Sequence, residues 1–510
     1  YFAAGYATGS YNTFVGYETG KGGTTSAPYS SGTSNTAVGY QALTAFTTGY
    51  GNTAVGGNSL DAVTEGFYNI GIGPAAGGSI TTGDYNIAIG YAAFDAATTA
   101  GSTIAIGYAA LSAYTHAENS FNVAIGTQTA YLKTSGRFNT YIGGYKVADA
   151  DLTGQYNAYF GSYTNQYGTA TSNTTLIGYQ AGRYASGSSN TFVGSEAGKG
   201  GTTSAPYSSG INNTAVGYQA LDAFTTGYQN VVVGNSAGGA INTGYTNTFM
   251  GYLAGANITT GHANVIIGRA AGYASTDVDS VVIIGEQAAY TGNMTSDADG
   301  TVSIGANAGK NITSGIGNVS VGRGALANED DGDYNTAIGY QALSAQTGVS
   351  GEVGNTAVGY QAGLTLTAGT QNTLVGYHAG KALLGGGTNT IIGSEAGKAL
   401  NNGGNNTIVG RHGAYSLTTG DDNVAIGVFA LYTGTTVSDN VAIGRSALTY
   451  IRGDDSVAVG YYAGLYATGS YNTFVGSNAG KGGTTGAPYS SGESNTAVGY
   501  QALTGFTTGG

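Results

Sequence analysis

The sequence predicts an all-β fold, a parallel β-solenoid or β-roll of about 28 coils that forms one continuous, fibrous repeat array over residues 1–510. A motif of the form Asn-Thr-Ala-Val-Gly recurs along the whole chain, most often about every 17 residues. β-Branched residues alternate within that motif, which is typical of a strand with one packed face. The composition, with 93 Gly, 41% hydrophobic and only 8% charged residues, favours an ordered repeat over a disordered chain.

The repeat unit is too short for two packed helices, and it suits one coil made of two short strands and two turns. A glycine in every repeat would also destabilise a helix by about 1 kcal/mol each. Three repeats are lengthened by a related insert rich in Gly, Thr and Ser. Because insertions at one phase of a solenoid form loops on one side, we expect loops near residues 20–32, 198–210 and 480–492.

Two positions of the motif predict the internal face of the strand. The residue one before the motif Gly is Val or Ile in nearly every copy. The residue three before the motif Gly is almost always Thr, Val or Ile. Since side chains two apart on a strand share a face, we expect both to pack inside the coil. The predicted structural core includes Val38, Ile89, Val233, Ile338 and Ile426.

The position between those two is predicted to face outward. It is uncharged in every copy and is mostly Ala, Val, Ile, Leu, Phe or Tyr. An apolar stripe along all the coils would exceed what a soluble monomer exposes, so we expect other chains to cover it. The sequence thus predicts a homo-oligomeric fibre, with a trimer as the leading hypothesis. The predicted chain–chain stripe includes Ala37, Phe192, Phe249 and Phe474.

Asparagine opens most copies of the motif. Stacked Asn side chains can hydrogen-bond from coil to coil and to the backbone of the Gly-rich turns, which would otherwise be left unpaired. We therefore expect an Asn ladder at one corner of the solenoid. Its predicted members include Asn35, Asn86, Asn230, Asn335 and Asn423.

Few residues offer chemistry, and we expect no enzyme and no cofactor. A net charge of −12 without a basic patch argues against nucleic acid as a partner, and no apolar run is long enough for a membrane span. The absence of Cys excludes a thiolate metal site. The four histidines lie far apart in sequence and are expected to be isolated on the surface. A weak Ca²⁺ candidate is the acidic turn with Asp330, Asp331 and Asp333.

The motif carries a family resemblance. Its form Asn-(Thr/Val)-Ala-(Val/Ile)-Gly resembles the head repeat of trimeric autotransporter adhesins, and the run from Asn35 to Leu43 is similar to repeats of phage tail-fibre proteins. The resemblance covers nearly the whole chain, although the adhesin coils are shorter. It implies a left-handed parallel β-roll assembled as a trimer.

Together these features favour an extracellular or cell-surface filament, a fibre shaft that supports adhesion or surface attachment. The first alternative is a tail-fibre shaft on a virion that binds host surface glycans through the Tyr residues that follow many motif glycines. A further alternative is an ice-binding solenoid, which needs a flat array of Thr; the motif Thr, however, shares the phase that is expected to be internal. Residues 6–49 nearly repeat as 466–509, so we also expect end-to-end continuation into like coils.

Overall fold

The computed structural model describes residues 3–23, 29–203, 207–347, 350–483, 486 and 489–508. The chain divides into two compact units, Tyr1–Thr260 and Gly261–Gly510. Each unit is a parallel β-solenoid with coils of about 17 residues, and the predicted fold class is confirmed.

Among its described residues, the first unit has fourteen short strands, one for each coil. They are Thr13–Val15 (β1), Thr36–Val38 (β2), Thr53–Val55 (β3), Ile70–Ile72 (β4), Ile87–Ile89 (β5), Ile104–Ile106 (β6), Val123–Thr127 (β7), Thr140–Tyr145 (β8), Ala158–Phe160 (β9), Thr175–Ile177 (β10), Thr191–Val193 (β11), Thr214–Val216 (β12), Val231–Val233 (β13) and Thr248–Met250 (β14).

The described part of the second unit also has fourteen coil strands, with one extra pair of two-residue strands and a 3-10 turn at Ser296–Ala298. The coil strands are Val265–Ile267 (β15), Val282–Ile284 (β16), Val302–Ile304 (β17), Val319–Val321 (β18), Thr336–Ile338 (β20), Thr356–Val358 (β22), Thr373–Val375 (β23), Thr390–Ile392 (β24), Thr407–Val409 (β25), Val424–Ile426 (β26), Val441–Ile443 (β27), Val457–Val459 (β28), Thr473–Val475 (β29) and Thr496–Val498 (β30). The extra pair is Gly332–Asp333 (β19) with Gly351–Glu352 (β21).

Each coil has one strand rather than the two that we expected. The strands pair in parallel and in register, so that Thr36, Ala37 and Val38 lie beside the same motif positions of the next coil. The other side of the coil consists of turns, in which Gln41 and Leu43 have positive φ of 52° and 51°. Residues in the left-handed backbone conformation at alternate positions interrupt the β pleat. Hydrogen bonding between coils is kept, since the N–H of Leu43 donates to the Ser59 carbonyl of the next coil at 3.0 Å.

The predicted assignment of inner and outer strand faces is wrong, because the two faces are exchanged. Val38, Ile338 and Ile426 of the predicted structural core are 38%, 39% and 37% exposed, and Ile89 and Val233 are half-buried. The predicted chain–chain stripe lies instead inside the coil of its own chain. Its members Ala37, Phe192, Phe249 and Phe474 are all completely buried.

Steric complementarity across the coil explains this orientation. The inward strand residue packs against the residue six positions later, on the turn side, and the sizes of the two compensate. Ala37 accompanies a buried Leu43, whereas Phe192 accompanies Gly198, where an added Cβ would overlap the phenyl ring. The interior is therefore filled by one large and one small side chain in each of these coils.

The Asn ladder is confirmed. The side-chain oxygen of Asn35 accepts from the backbone N–H of Asn52 at 2.9 Å, and its amide donates to the Gly49 carbonyl at 2.9 Å. Asn86, Asn230, Asn335 and Asn423 are buried and bind the preceding ladder residue in the same way. The side-chain amides of Asn35, Asn86, Asn230 and Asn423 also donate to a turn carbonyl, whereas the buried amide nitrogen of Asn335 has no hydrogen-bond partner.

The three predicted insert loops fall partly outside the described residues, at 24–28, 204–206, 484–485 and 487–488. Both ends of each insert belong to the solenoid. For example, Ser30 bridges to Ala7 and Ser208 bridges to Ala185, both in parallel. The described residues on either side of these gaps therefore keep the stacking of the coils.

Candidate functional site

The main candidate site is the outer strand face, which we define as the residues three before, one before and one after each motif Gly. In the second coil these are Thr36, Val38 and Tyr40. Thr36 is half-buried, whereas Val38 and Tyr40 are 38% and 54% exposed. No copy carries a charge at either of the first two positions. At these two positions, repetition turns the single exposed groups into a continuous uncharged surface along each unit.

The two units differ at the third position of this face. In the first unit every residue there is uncharged. The second unit carries Arg269, Glu286, Arg323, Arg411 and Arg445 at the same phase. Arg269 and Glu286 form an exposed ion pair of 2.7 Å between successive coils. The first unit is therefore the more apolar surface, and the second carries a border of mostly positive charge.

Tyrosines on the outer strand face stack on one another. The rings of Tyr17 and Tyr40 are nearly parallel with centroids 5.5 Å apart, and Tyr340, Tyr360 and Tyr377 continue this arrangement at 5.2 and 5.5 Å. Such stacking holds the rings upright and stiffens the surface. The hydroxyl groups and ring edges stay available to a partner.

A histidine cluster in the second unit corrects one expectation. His378 and His412 flank Glu395 from the coils on either side, with contacts of 3.8 Å and 3.0 Å to its carboxylate. Lys398 also binds Glu395 at 2.8 Å, and this hydrogen bond is the main reason that the pKa of Glu395 is lowered. Burial lowers the pKa of His378. The 17-residue repeat brings together groups that lie far apart in sequence.

The acidic turn also differs from its predicted composition. Carboxylate oxygens of Glu329, Asp330 and Asp331 lie within 4.8 Å of one another. Asp333 instead accepts a hydrogen bond from the backbone N–H of Ile316 at 2.8 Å. Glu329 is buried, and burial raises its pKa. Three carboxylates are a donor set suited to Ca²⁺, and the Ca²⁺ hypothesis stays a prediction with Glu329 in place of Asp333.

An open aromatic groove of about 380 Å³ lies on the second unit. Tyr432, Tyr450, Tyr462 and Tyr466 line it together with Lys481, whose ammonium lies 5.7 Å from the Tyr462 ring. Aromatic faces next to a cation and hydroxyl groups are suited to sugar rings. The recurrence of Tyr is evident from the sequence, but the convergence of these rings is seen only in the structure.

Within the ranges described, no helix has the length and apolarity needed to cross a bilayer. No model of a known protein family matches the chain, and no curated protein matches it. The fold and the surfaces above are therefore the basis for a functional conclusion.

Proposed function

We propose that the chain is a structural fibre shaft in which copies of the chain associate through the outer strand face. The observation that carries the proposal is the uncharged outer strand face of the first unit, which continues over fourteen in-register coils. At a strand spacing of about 4.8 Å and a width of five residues, the face measures about 900 Å². A stable interface needs about 800 Å² from each partner, so one unit is sufficient.

The stacked, hydrogen-bonded coils supply the other property that a shaft needs. Within each unit successive coil strands pair in parallel, and buried Asn residues such as Asn52, Asn69 and Asn86 hydrogen-bond to the preceding coil. Stability in such an array comes from the interfaces between neighbouring coils. A trimer is our preferred assembly, in line with the resemblance to adhesin heads.

Sedimentation velocity of the full chain tests the proposal. The variant Val38→Lys/Val55→Lys/Ile72→Lys places three charges on successive coils of the outer strand face, where the native residues are 38%, 37% and 39% exposed. We expect association in the native protein and its loss in this variant, because desolvating unpaired ammonium groups is costly.

The matched control is Thr48→Lys/Thr82→Lys/Thr99→Lys, which adds the same three positive charges on exposed turn residues of the first unit. It should associate like the native chain, and circular dichroism should show that both variants remain folded. A native chain that sediments as a monomer at all concentrations would refute the proposal.

We further propose an extracellular, cell-surface or virion location, with adhesion to surface glycans as the purpose of the shaft. The aromatic groove supports this, since Tyr450, Tyr466 and Lys481 converge there. Binding of the full chain to a panel of immobilised glycans tests it, with Tyr450→Ala/Tyr466→Ala as the variant. Tyr228→Ala/Tyr245→Ala, another stacked pair with centroids 4.9 Å apart, is the control. Binding that is equal in all three proteins would exclude the groove.

Ice binding is a second candidate. We expected the motif Thr to face the core, but in the structure it faces outward. Thr336, Thr356, Thr373, Thr390 and Thr407 lie on successive, in-register coils, each beside an outward Val or Ile. Thermal hysteresis tests it directly. Hysteresis that Thr373→Lys abolishes would favour ice binding, and none at high protein concentration would exclude it.

A further inference from the structure

Two charged residues occupy an internal position that is apolar in neighbouring coils. The residue seven after the motif Gly is Phe46, Val63 or Ile80 in early coils, and each is completely buried. Lys133 takes this position in the coil of β7, and Asp151 takes the equivalent position in the coil of β8, after a one-residue register shift between Ile125 and Thr127. Both side chains are 0% exposed.

The two groups are held in contact by neighbours that bind them in defined directions. Lys133 Nζ lies 3.7 Å from Asp151 Oδ2 and donates to the Gly154 carbonyl at 2.6 Å. The backbone N–H of Gly154 donates to Asp151 Oδ1 at 3.0 Å, and the hydroxyl group of Tyr141 donates to Oδ2 at 2.9 Å. Each carboxyl oxygen therefore has a donor, and the amine lies next to the carboxyl group.

Burial also changes the protonation of the pair. Burial lowers the pKa of the Lys133 ammonium and raises the pKa of the Asp151 carboxyl group, and the attraction between them opposes both shifts. Both shifts raise the share of the neutral amine and the neutral acid above that of the same groups in water. A neutral amine is a nucleophile, and a carboxyl group with hydrogen bonds to both oxygens is an activated electrophile.

We propose that Lys133 and Asp151 condense to an intramolecular isopeptide bond that joins two neighbouring coils. The Lys133 Nζ lone pair attacks Asp151 Cγ, the oxyanion that develops on Oδ2 is held by the Tyr141 hydroxyl, and Gly154 N–H binds Oδ1, the hydroxyl oxygen that leaves. A C–O bond then breaks, the hydroxyl group takes up a proton from the amine, and one water leaves. No oxidant, reductant or further reactant is needed, and a secondary amide replaces two buried titratable groups.

The mass of the purified, denatured full chain tests the proposal. We expect a mass lower than that of the sequence by one water molecule. Trypsin should fail to cut after Lys133, and the peptide that ends at Arg137 should be joined to the peptide covering residues 147–183. A chain of full mass, cut normally after Lys133, overturns the proposal, and this outcome needs no variant to fold.

Two comparisons establish specificity. Lys133→Met and Asp151→Leu should each keep the mass of their own sequences. The surface pair of Lys199 and Glu196 has a shorter contact of 3.2 Å but is solvated, and it should remain unlinked. A linkage at that pair would show that proximity alone is sufficient and would contradict the role of the core.

Tyr141 is assigned a positioning role that can be measured separately. Tyr141→Phe removes one donor to the developing oxyanion and keeps the buried ring. After refolding, the loss of water should be slower in this variant by about a hundredfold, the effect of deleting one such donor. An unchanged rate would contradict the assigned role of Tyr141.

Discussion

Adjacent valines in β13 provide the sharpest test of the orientation of the strands. Val232 is completely buried between Ala215 and Phe249 of the neighbouring coils, whereas Val233 belongs to the outer strand face. The variants Val232→Asp and Val233→Asp make the same chemical change one residue apart. They therefore differ only in which face receives the carboxylate.

The expected magnitudes are far apart. Val232→Asp loses about 2 kcal/mol of apolar burial and places an unpaired carboxylate in the core, at a cost of several kcal/mol more. The sum rivals the whole stability of an ordinary domain, about 5–15 kcal/mol. Val233→Asp keeps its carboxylate hydrated and should change the free energy of unfolding by about 1 kcal/mol or less.

Hydrogen exchange is the suitable assay, because repeat arrays open locally and do not unfold in one step. Amides of β12 to β14 should lose protection in Val232→Asp and keep it in Val233→Asp. Circular dichroism during heating gives a second, global measure. The opposite result, with disruption by Val233→Asp and tolerance of Val232→Asp, would refute the orientation described here.

Three further predictions concern the ladder, the motif glycine and the buried carboxylate. Asn389→Ala removes hydrogen bonds to Asn372 and Gly403 and should destabilise the protein by about 3 kcal/mol, whereas Asn402→Ala on the exposed turn should have little effect in the same denaturant titration. Gly393→Ala should prevent normal folding, because φ is +138° and the new Cβ would lie 2.6 Å from the Gly410 carbonyl oxygen; Gly505→Ala, with nothing within 4 Å, should melt like the native chain. Burial raises the folded-state pKa of Glu329, so its contribution to stability is present at acid pH and is lost as pH rises through that pKa. Glu329→Gln should therefore have a higher melting temperature than the native chain at neutral pH and the same melting temperature at acid pH. If the melting temperature of the native chain instead rises only when Ca²⁺ is added, the acidic turn is a cation site.

The periodicity of the sequence was sufficient to predict the coil. Strand position, parallel register and the Asn ladder all follow from residues that recur at one phase, since a solenoid places equal phases above one another. The two faces of the strand were not distinguished by the same pattern. Thr36 and Val38 alternate with Ala37, and alternation alone gives the period but not which side is internal.

A second signal in the sequence does distinguish the faces. In most coils a large residue at one of two positions, two before and four after the motif Gly, goes with a small residue at the other, as in Ala37 with Leu43 and Phe192 with Gly198. Compensating volumes indicate two side chains that share one core. The left-handed turn residues could not be predicted, because Gln41 and Leu43 are types that rarely adopt positive φ.

The candidate site followed from the corrected orientation. An uncharged stripe does lie on the surface of the coils, but it consists of residues at the phases of Thr36 and Val38, whereas Ala37 is internal. Contacts such as Lys133 with Asp151, or His412 with Glu395, depend on which residues lie in adjacent coils. They become predictable once the coil length and its local shifts are known.

A map of the assembled protein at side-chain resolution, by electron cryo-microscopy, tests the central claim most directly. We predict that Val38 and Val55 are covered by another copy of the chain, while Ala37 and Ala54 remain within their own coil. An assembly in which the outer strand face is open to solvent in every copy would contradict the proposed fibre.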